Sequence, residues 1–304
     1  VDTDELSRRA RLLRNLVEPL AANVYFAPEA HEAYAALGFS PSPGNAGLLA
    51  LPDGPAYFTS RGACMGQVPG EVVAAAFGVF NPASVVPAVT HGWSLTGPDE
   101  ILAARQQGAV SSLTRILGPR PEGLERATKL LRQGAEAASG EGRHLFSGLR
   151  SLGWPEDGGM GDLWRAADLV REHRGDTHIA AWVSHGFGAA EISLLTELWW
   201  GLGPRTYSRT RAWTSAELDA ALERLRTDGL AEGDLITDEG RRQREAVERA
   251  TDLGERSIVV ALEDELEELA AILGPWGQAV VDSGGYPAAA GAMVRGSSTT
   301  KTAS

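Results

Sequence analysis

The sequence predicts a mainly α-helical fold with minor β structure, on three observations. Apolar residues recur at helical spacing, capping residues stand at the ends of those runs, and clusters of glycine and proline punctuate the chain between them. With 304 residues and 43% hydrophobic content, the chain can bury a sizeable core.

The amino-terminal stretch is charged throughout and lacks an apolar leader, and no run approaches the ~20 apolar residues of a membrane span. A cytoplasmic protein without membrane contact is expected. Pro28 is placed to open a helix, with Glu29 in its first turn, where the helix dipole favours a carboxylate. Glycine and proline at 39–47 and 118–123 mark loops between helical blocks. The denser cluster at 153–162 marks a boundary between an N-terminal helical half, 1–152, and a C-terminal half, 162–284. A helix from about Asp162 to His173 then meets Arg174-Gly175-Asp176, which reads as a turn, with Asp176 the N-cap of a new helix beginning near Thr177.

Further on, Leu218, Ala221, Leu222 and Leu225 form one helical stripe; Thr214 and Glu217 make a capping box before it, and Gly229 is placed to close it. Leu262, Leu266, Leu269, Ala270 and Leu273 repeat the pattern, with carboxylates outward, and this helix is a candidate homodimer interface. Residues 291–304 are small and polar and are expected to be disordered. Two pairs of segments share a plan, 17–39 with 171–191 and 91–118 with 211–230. They predict two pseudo-repeated halves with a ligand pocket at their junction.

Residues 213–252 carry a helix of recognition-helix length, the phrase "LRTDGLAE", a short wing, and "LITDEGRRQREAVERATD" leading into a long helix. This stretch resembles the end of a MarR-type winged helix. Over its whole length the chain resembles the actinobacterial SalK-like helix-turn-helix family, on "VYFAPEAHEAYAALGF", "YFTSRGACMGQVPGEVVAAAFGVFNP" and "LWRAADLVREHRGDTHIAAWV". The resemblance implies winged-helix units across most of the molecule, with the minor β structure in the wings, and a setting in secondary metabolism. It implies no reaction.

A formal charge of −12 sets the average surface against phosphate backbones. The positions from which a recognition helix reads bases hold Ser215, Ala216, Glu217, Asp219 and Ala220, and the wing adds Glu232 and Asp234. Nucleic acid is therefore not the expected partner. A ligand-responsive regulator and a non-catalytic binding partner stand as the alternative readings. The single cysteine, Cys64, leaves no intrachain disulfide and reads as a small buried hydrophobe.

The candidate catalytic residues are Glu172, His173, Asp176 and His178, which the expected joint between two helices would bring together. Carboxylates beside imidazoles suit proton transfer near neutral pH, so cyclisation, isomerisation or elimination fits without a cofactor. The same four could hold a divalent metal, although their spacing matches no established motif. Arg61, between an apolar segment and a glycine-rich turn, is placed to hold a ligand carboxylate or phenolate; pairing with Glu71 is the alternative. Tyr25, Glu29 and Tyr57 complete the expected substrate-binding set. The expected ligand is a small, apolar, anionic metabolite. No P-loop, GxGxxG turn or GxSxG elbow is present.

Overall fold

The structure, a computed structural model, describes residues 2–287; the stretch 291–304, expected to be disordered, lies outside them. In chain order the elements are α1 (Thr3–Ala22), α2 (Pro28–Ala36), β1 (Asn45–Ala46), β2 (Leu49–Ala50), α3 (Gly54–Gly62), α4 (Gly70–Phe77), α5 (Pro82–Leu95), α6 (Pro98–Leu117), α7 (Leu124–Ala137) and α8 (His144–Ser151). There follow α9 (Met160–Ser184), α10 (Ala189–Trp199), α11 (Ser215–Thr227), β3 (Ala231–Glu232), β4 (Leu235–Ile236), α12 (Asp238–Gly254), α13 (Arg256–Leu262) and α14 (Glu265–Asp282). The fold is mainly α, with two small antiparallel hairpins. Among the described residues no helix is long and apolar enough to cross a membrane.

Local chemistry fixes the start of several helices. Side chains of Asp2, Asp53, Asn81 and Thr237 accept from backbone N–H groups in the first turns of α1, α3, α5 and α12. Pro28 opens α2, and Thr214 with Glu217 forms both halves of the capping box on α11. Gly229 follows α11 at φ +71°, in the left-handed region that closes a helix.

One expectation fails at α9. Arg174-Gly175-Asp176 is not a turn; α9 runs unbroken from Met160 to Ser184. A glycine inside a helix costs only about 1 kcal/mol, and packing against α1, α7, α8 and α12 outweighs it. Asp176 caps a helix, but not its own: its Oδ2 accepts from Phe146 N, 2.9 Å away, in the first turn of α8.

The repeat also lies elsewhere than the paired segments suggest. Residues 171–191 belong to α9 and the start of α10, and 91–118 to α5 and α6. The recurring order is helix, helix, two-residue hairpin, helix: α1–α2–β1–β2–α3 and again α10–α11–β3–β4–α12. Each hairpin turns on a glycine at positive φ, Gly47 at +65° and Gly233 at +56°.

The main core runs from α1 through the first half of α9 and takes in α13 and α14, while α10, α11 and β3 enclose a smaller core of their own. Leu266, Leu269 and Leu273 of α14 are fully buried in the main core. The apolar face offered as a dimer interface is thus covered by the chain's own helices. Leu262 ends α13 instead, because Glu263 at φ +38° breaks the helix. The second unit is tied to the body by Trp213 Nε1 donating to Val79 O at 2.9 Å and by Asn81 N donating to Arg211 O at 2.9 Å.

Candidate functional site

At the junction of body and second unit lies a cavity of about 290 Å³. Three helices present it with stripes at the i, i+3, i+4, i+7 spacing of one helical face. These are Ala10, Leu13, Arg14, Val17 and Glu18 on α1; Arg171, Arg174, Gly175, His178 and Ile179 on α9; and Arg244, Glu248 and Glu255 along and just beyond α12. Arg61 of α3 and Arg211, in a short 3-10 turn before α11, bring the lining arginines to six, against the glutamates Glu18, Glu248 and Glu255. Aromatic rings of Tyr57, Phe77, Phe80, Trp200 and Tyr207 form much of the remaining wall, with Ile192 and Thr196 of α10 among the others. A cationic, aromatic cavity inside a chain of net charge −12 is a local reversal of the surface field.

The four candidate catalytic residues do not converge. On a continuous helix Glu172 and Asp176 share a face, His173 lies to one side of it and His178 opposite, and each has its own partner. Glu172 is gripped by Arg61, Nε to Oε1 at 2.9 Å and Nη2 to Oε2 at 2.7 Å, and by Arg171 Nη1 at 2.7 Å. Burial pushes its carboxyl up, but Arg61 and Arg171 outweigh burial and hold it at about 2. His173 points the other way, its Nδ1 2.7 Å from Glu255 Oε1. Asp176 caps α8, and burial pushes its carboxyl up to about 7. His178 lines the cavity with Nδ1 3.0 Å from Thr251 Oγ1. Enclosure, then the charge of Arg244, pushes its imidazole down to about 3. The divalent-metal alternative at these four falls with the joint: among the described residues no group of three or more His, Cys, Asp or Glu is disposed to hold a metal ion.

The substrate-binding set fares differently. Tyr57 and Arg61 line the cavity. Arg61 pairs with Glu172, not Glu71, and its guanidinium lies 4.5 Å from the centre of the Phe77 ring. Tyr25 is buried just behind, its hydroxyl 3.4 Å from Glu172 Oε1 and accepting from Arg105 Nη2 at 3.1 Å, while Arg105 forks onto Asp168. Glu29 stands apart on the surface in a pair with Arg115 at 2.5 Å. Cys64 is buried, which pushes its thiol up to about 12.

Sequence reasoning missed Arg14, Arg174, Arg211, Arg244 and Glu255. The helical stripes of Arg and Glu on α1, α9 and α12 were the available signal. Glu248 is the hub, reached by Arg14 Nη1 at 3.0 Å, Arg174 Nη2 at 2.7 Å and Arg244 Nη1 at 2.9 Å. Burial alone would raise its carboxyl; Arg244, Arg174 and Arg14 together hold it well below the usual range. Two guanidinium donors on this wall stay buried without a partner among the described residues, Arg174 Nη1 and Arg211 Nε. Arg211 is also stacked over Tyr207 and Phe80, 4.3 and 4.9 Å from their ring centres.

The exposed face of α11 is acidic. Asp219 pairs with Arg205 at 2.9 Å, Glu217 accepts from Asn81 Nδ2 at 3.0 Å, Arg224 is held by Glu191, and Arg226 by Glu223 and Asp234. The exposed cations of this helix are thus committed to carboxylates.

Neither curated proteins nor solved structures yield a match to the chain. Residues 10–287 match a helix-turn-helix family. That span takes in every element from the tenth residue on, the second unit and α14 entire and the first unit but for the start of α1, together with every residue that lines the cavity, so the chain belongs to that helix-turn-helix family.

Proposed function

We propose that the protein binds a small organic anion with an apolar or aromatic body in the cavity between its helical body and its second helix-turn-helix unit. One observation carries the reading: buried arginine donors without partners, Arg174 Nη1 and Arg211 Nε, sit on a wall that also supplies aromatic rings. An unpaired buried donor is costly, and a ligand carboxylate, sulfonate or phosphate removes that cost. The rings accommodate the rest of the molecule. The SalK-like and MarR-type resemblances agree with a metabolite ligand of secondary metabolism. The acidic α11 and its wing weigh against operator DNA as the main partner.

A second reading is conversion of that anion by proton transfer, and His178 favours it. Its ring is fixed by Thr251 on the cavity wall. Burial is the larger cause of its low pKa and the charge of Arg244 the lesser; an anion bound among the arginines would offset the second and raise the pKa. Cyclisation, isomerisation or elimination would then be carried by His178.

Calorimetric titration with 3-phenylpropanoate and with its neutral amide tests the binding. The acid is expected to bind and the amide not, and Arg211→Ala should weaken the acid by about tenfold. Arg211 also donates to the Tyr207 hydroxyl and stacks on Tyr207 and Phe80, so the melting temperature of the variant is measured beside its affinity and the comparison is made well below it. Equal binding of acid and amide, or an affinity indifferent to Arg211→Ala, would sink the proposal.

A further inference from the structure

Of the three glutamates on the cavity wall, two are consumed by arginines. Glu18 takes Arg171 Nε at 3.0 Å and Nη2 at 3.3 Å, and Glu248 takes three guanidinium groups. Glu255 is different. It is 2% exposed, and among the described residues its carboxylate has a single hydrogen-bond partner, His173, and no arginine.

His173 is fully buried, with Phe146 at 5.0 Å edge-to-face, and its Nε2 has no partner. Its polar contact is Glu255, and a carboxylate only accepts, so the ring proton sits on Nδ1 and is donated to Glu255 Oε1. The imidazole therefore braces one oxygen of Glu255 and leaves Oε2, which has no donor among the described residues. Arg174 is near enough for the charge of Glu255 to raise its pKa, yet it donates to Glu248 and Asp252. The cavity wall thus holds a buried unpartnered guanidinium donor, Arg174 Nη1, and, acting on the same arginine by its charge, a carboxylate with one oxygen free to accept, Glu255 Oε2.

We infer that Glu255, positioned by His173, is a specificity determinant: the bound anion carries, next to its acidic group, a hydrogen-bond donor, hydroxyl or ammonium, that Glu255 accepts. This rests on the anion-binding reading above. The acidic group answers Arg174 and the neighbouring donor answers Glu255, the pattern of a 2-hydroxy or 2-amino acid. A site that leaves a buried acceptor unpaired rejects the analogue lacking the donor.

The test uses three probes with one body: 3-phenylpropanoate, 3-phenyllactate and phenylalanine. The parent is expected to bind one of the last two at least about tenfold tighter than the first. Preference for phenyllactate assigns a hydroxyl, preference for phenylalanine an ammonium. Glu255→Gln, whose amide turns its NH2 to the ligand once His173 donates to its oxygen, should erase a preference for phenylalanine and weaken one for phenyllactate, each judged against the variant's own affinity for 3-phenylpropanoate. Glu255→Asp, which keeps the charge but withdraws the oxygen, should do the same, so a poorly folded Gln variant does not decide the matter. His173→Gln, whose amide can still donate to Glu255, should retain part of the preference. Equal affinities for all three probes, or a preference that survives both Glu255 variants, overturns the inference while the anion reading stands. If 3-phenylpropanoate itself fails to bind, the anion reading fails and this one with it.

Discussion

Glu172 and Asp176 stand one turn apart on α9, yet their carboxyls are driven in opposite directions. Arg61 and Arg171 overcome burial at Glu172 and hold it at about 2; Asp176 faces burial with only backbone N–H groups and a distant guanidinium against it, and rises to about 7. The folded chain keeps Asp176 protonated while the unfolded chain ionises it above 3.8, so this group costs stability as pH rises from 3.8 through about 7. His178 does the reverse. Folding holds it neutral, the unfolded chain protonates below 6.5, and stability is lost as pH falls from 6.5 towards about 3. Asp176→Asn, which can still accept from Phe146 N, should match the parent near pH 4 and exceed it by about 1–3 kcal/mol at pH 8. Denaturant unfolding at the two pH values checks this; a variant less stable at both would show the ionised carboxylate to be needed as a cap. His178→Gln should flatten the loss of stability below pH 6.5. If His178 also carries proton transfer, the same variant should keep ligand affinity and lose turnover.

Among the elements, α9 separates what local sequence shows from what it hides. The start of α11 was legible because Thr214, Glu217 and Gly229 act on backbone groups within a turn of themselves. Arg174-Gly175-Asp176 was misread because its justification is remote: Asp176 caps α8, and α9 is buried on nearly all sides and so shows no single apolar stripe. Gly175 is not in the left-handed region, and a methyl group there would meet Glu172 Oε2 at 3.4 Å and Arg61 Nη2 at 3.9 Å, ordinary contacts. Gly175→Ala should therefore stabilise the protein by about 0.5–1 kcal/mol. A loss of melting temperature in that variant would argue for the broken helix.

For the whole molecule, the charge distribution decides which partners can approach. The net −12, the paired cations of α11 and the acidic wing oppose a phosphate backbone, while six arginines line the cavity, where a duplex cannot reach them. Fluorescence anisotropy with a labelled duplex should show no saturable binding even at about 50 mM salt, where counterion release is most generous. Tight, competitor-resistant binding would return the regulator to first place.

By itself the sequence determined the helical class, the starts of α2, α9 and α11, the acidity of α11 and the expectation of a pocket between two related halves, because periodicity, caps and charge act over a few residues. It also placed Tyr57, Arg61 and His178 among the functional candidates, and all three line the cavity. Only the tertiary structure decided that Glu172, His173, Asp176 and His178 serve different partners, and that Arg14, Arg174, Arg211, Arg244 and Glu255 meet around one space. Those residues lie on separate elements up to 241 positions apart in the 304-residue chain, from Arg14 to Glu255, and no short-range pattern encodes which helix faces close on one another. The packing of α1, α9 and α12 around a common cavity makes that choice.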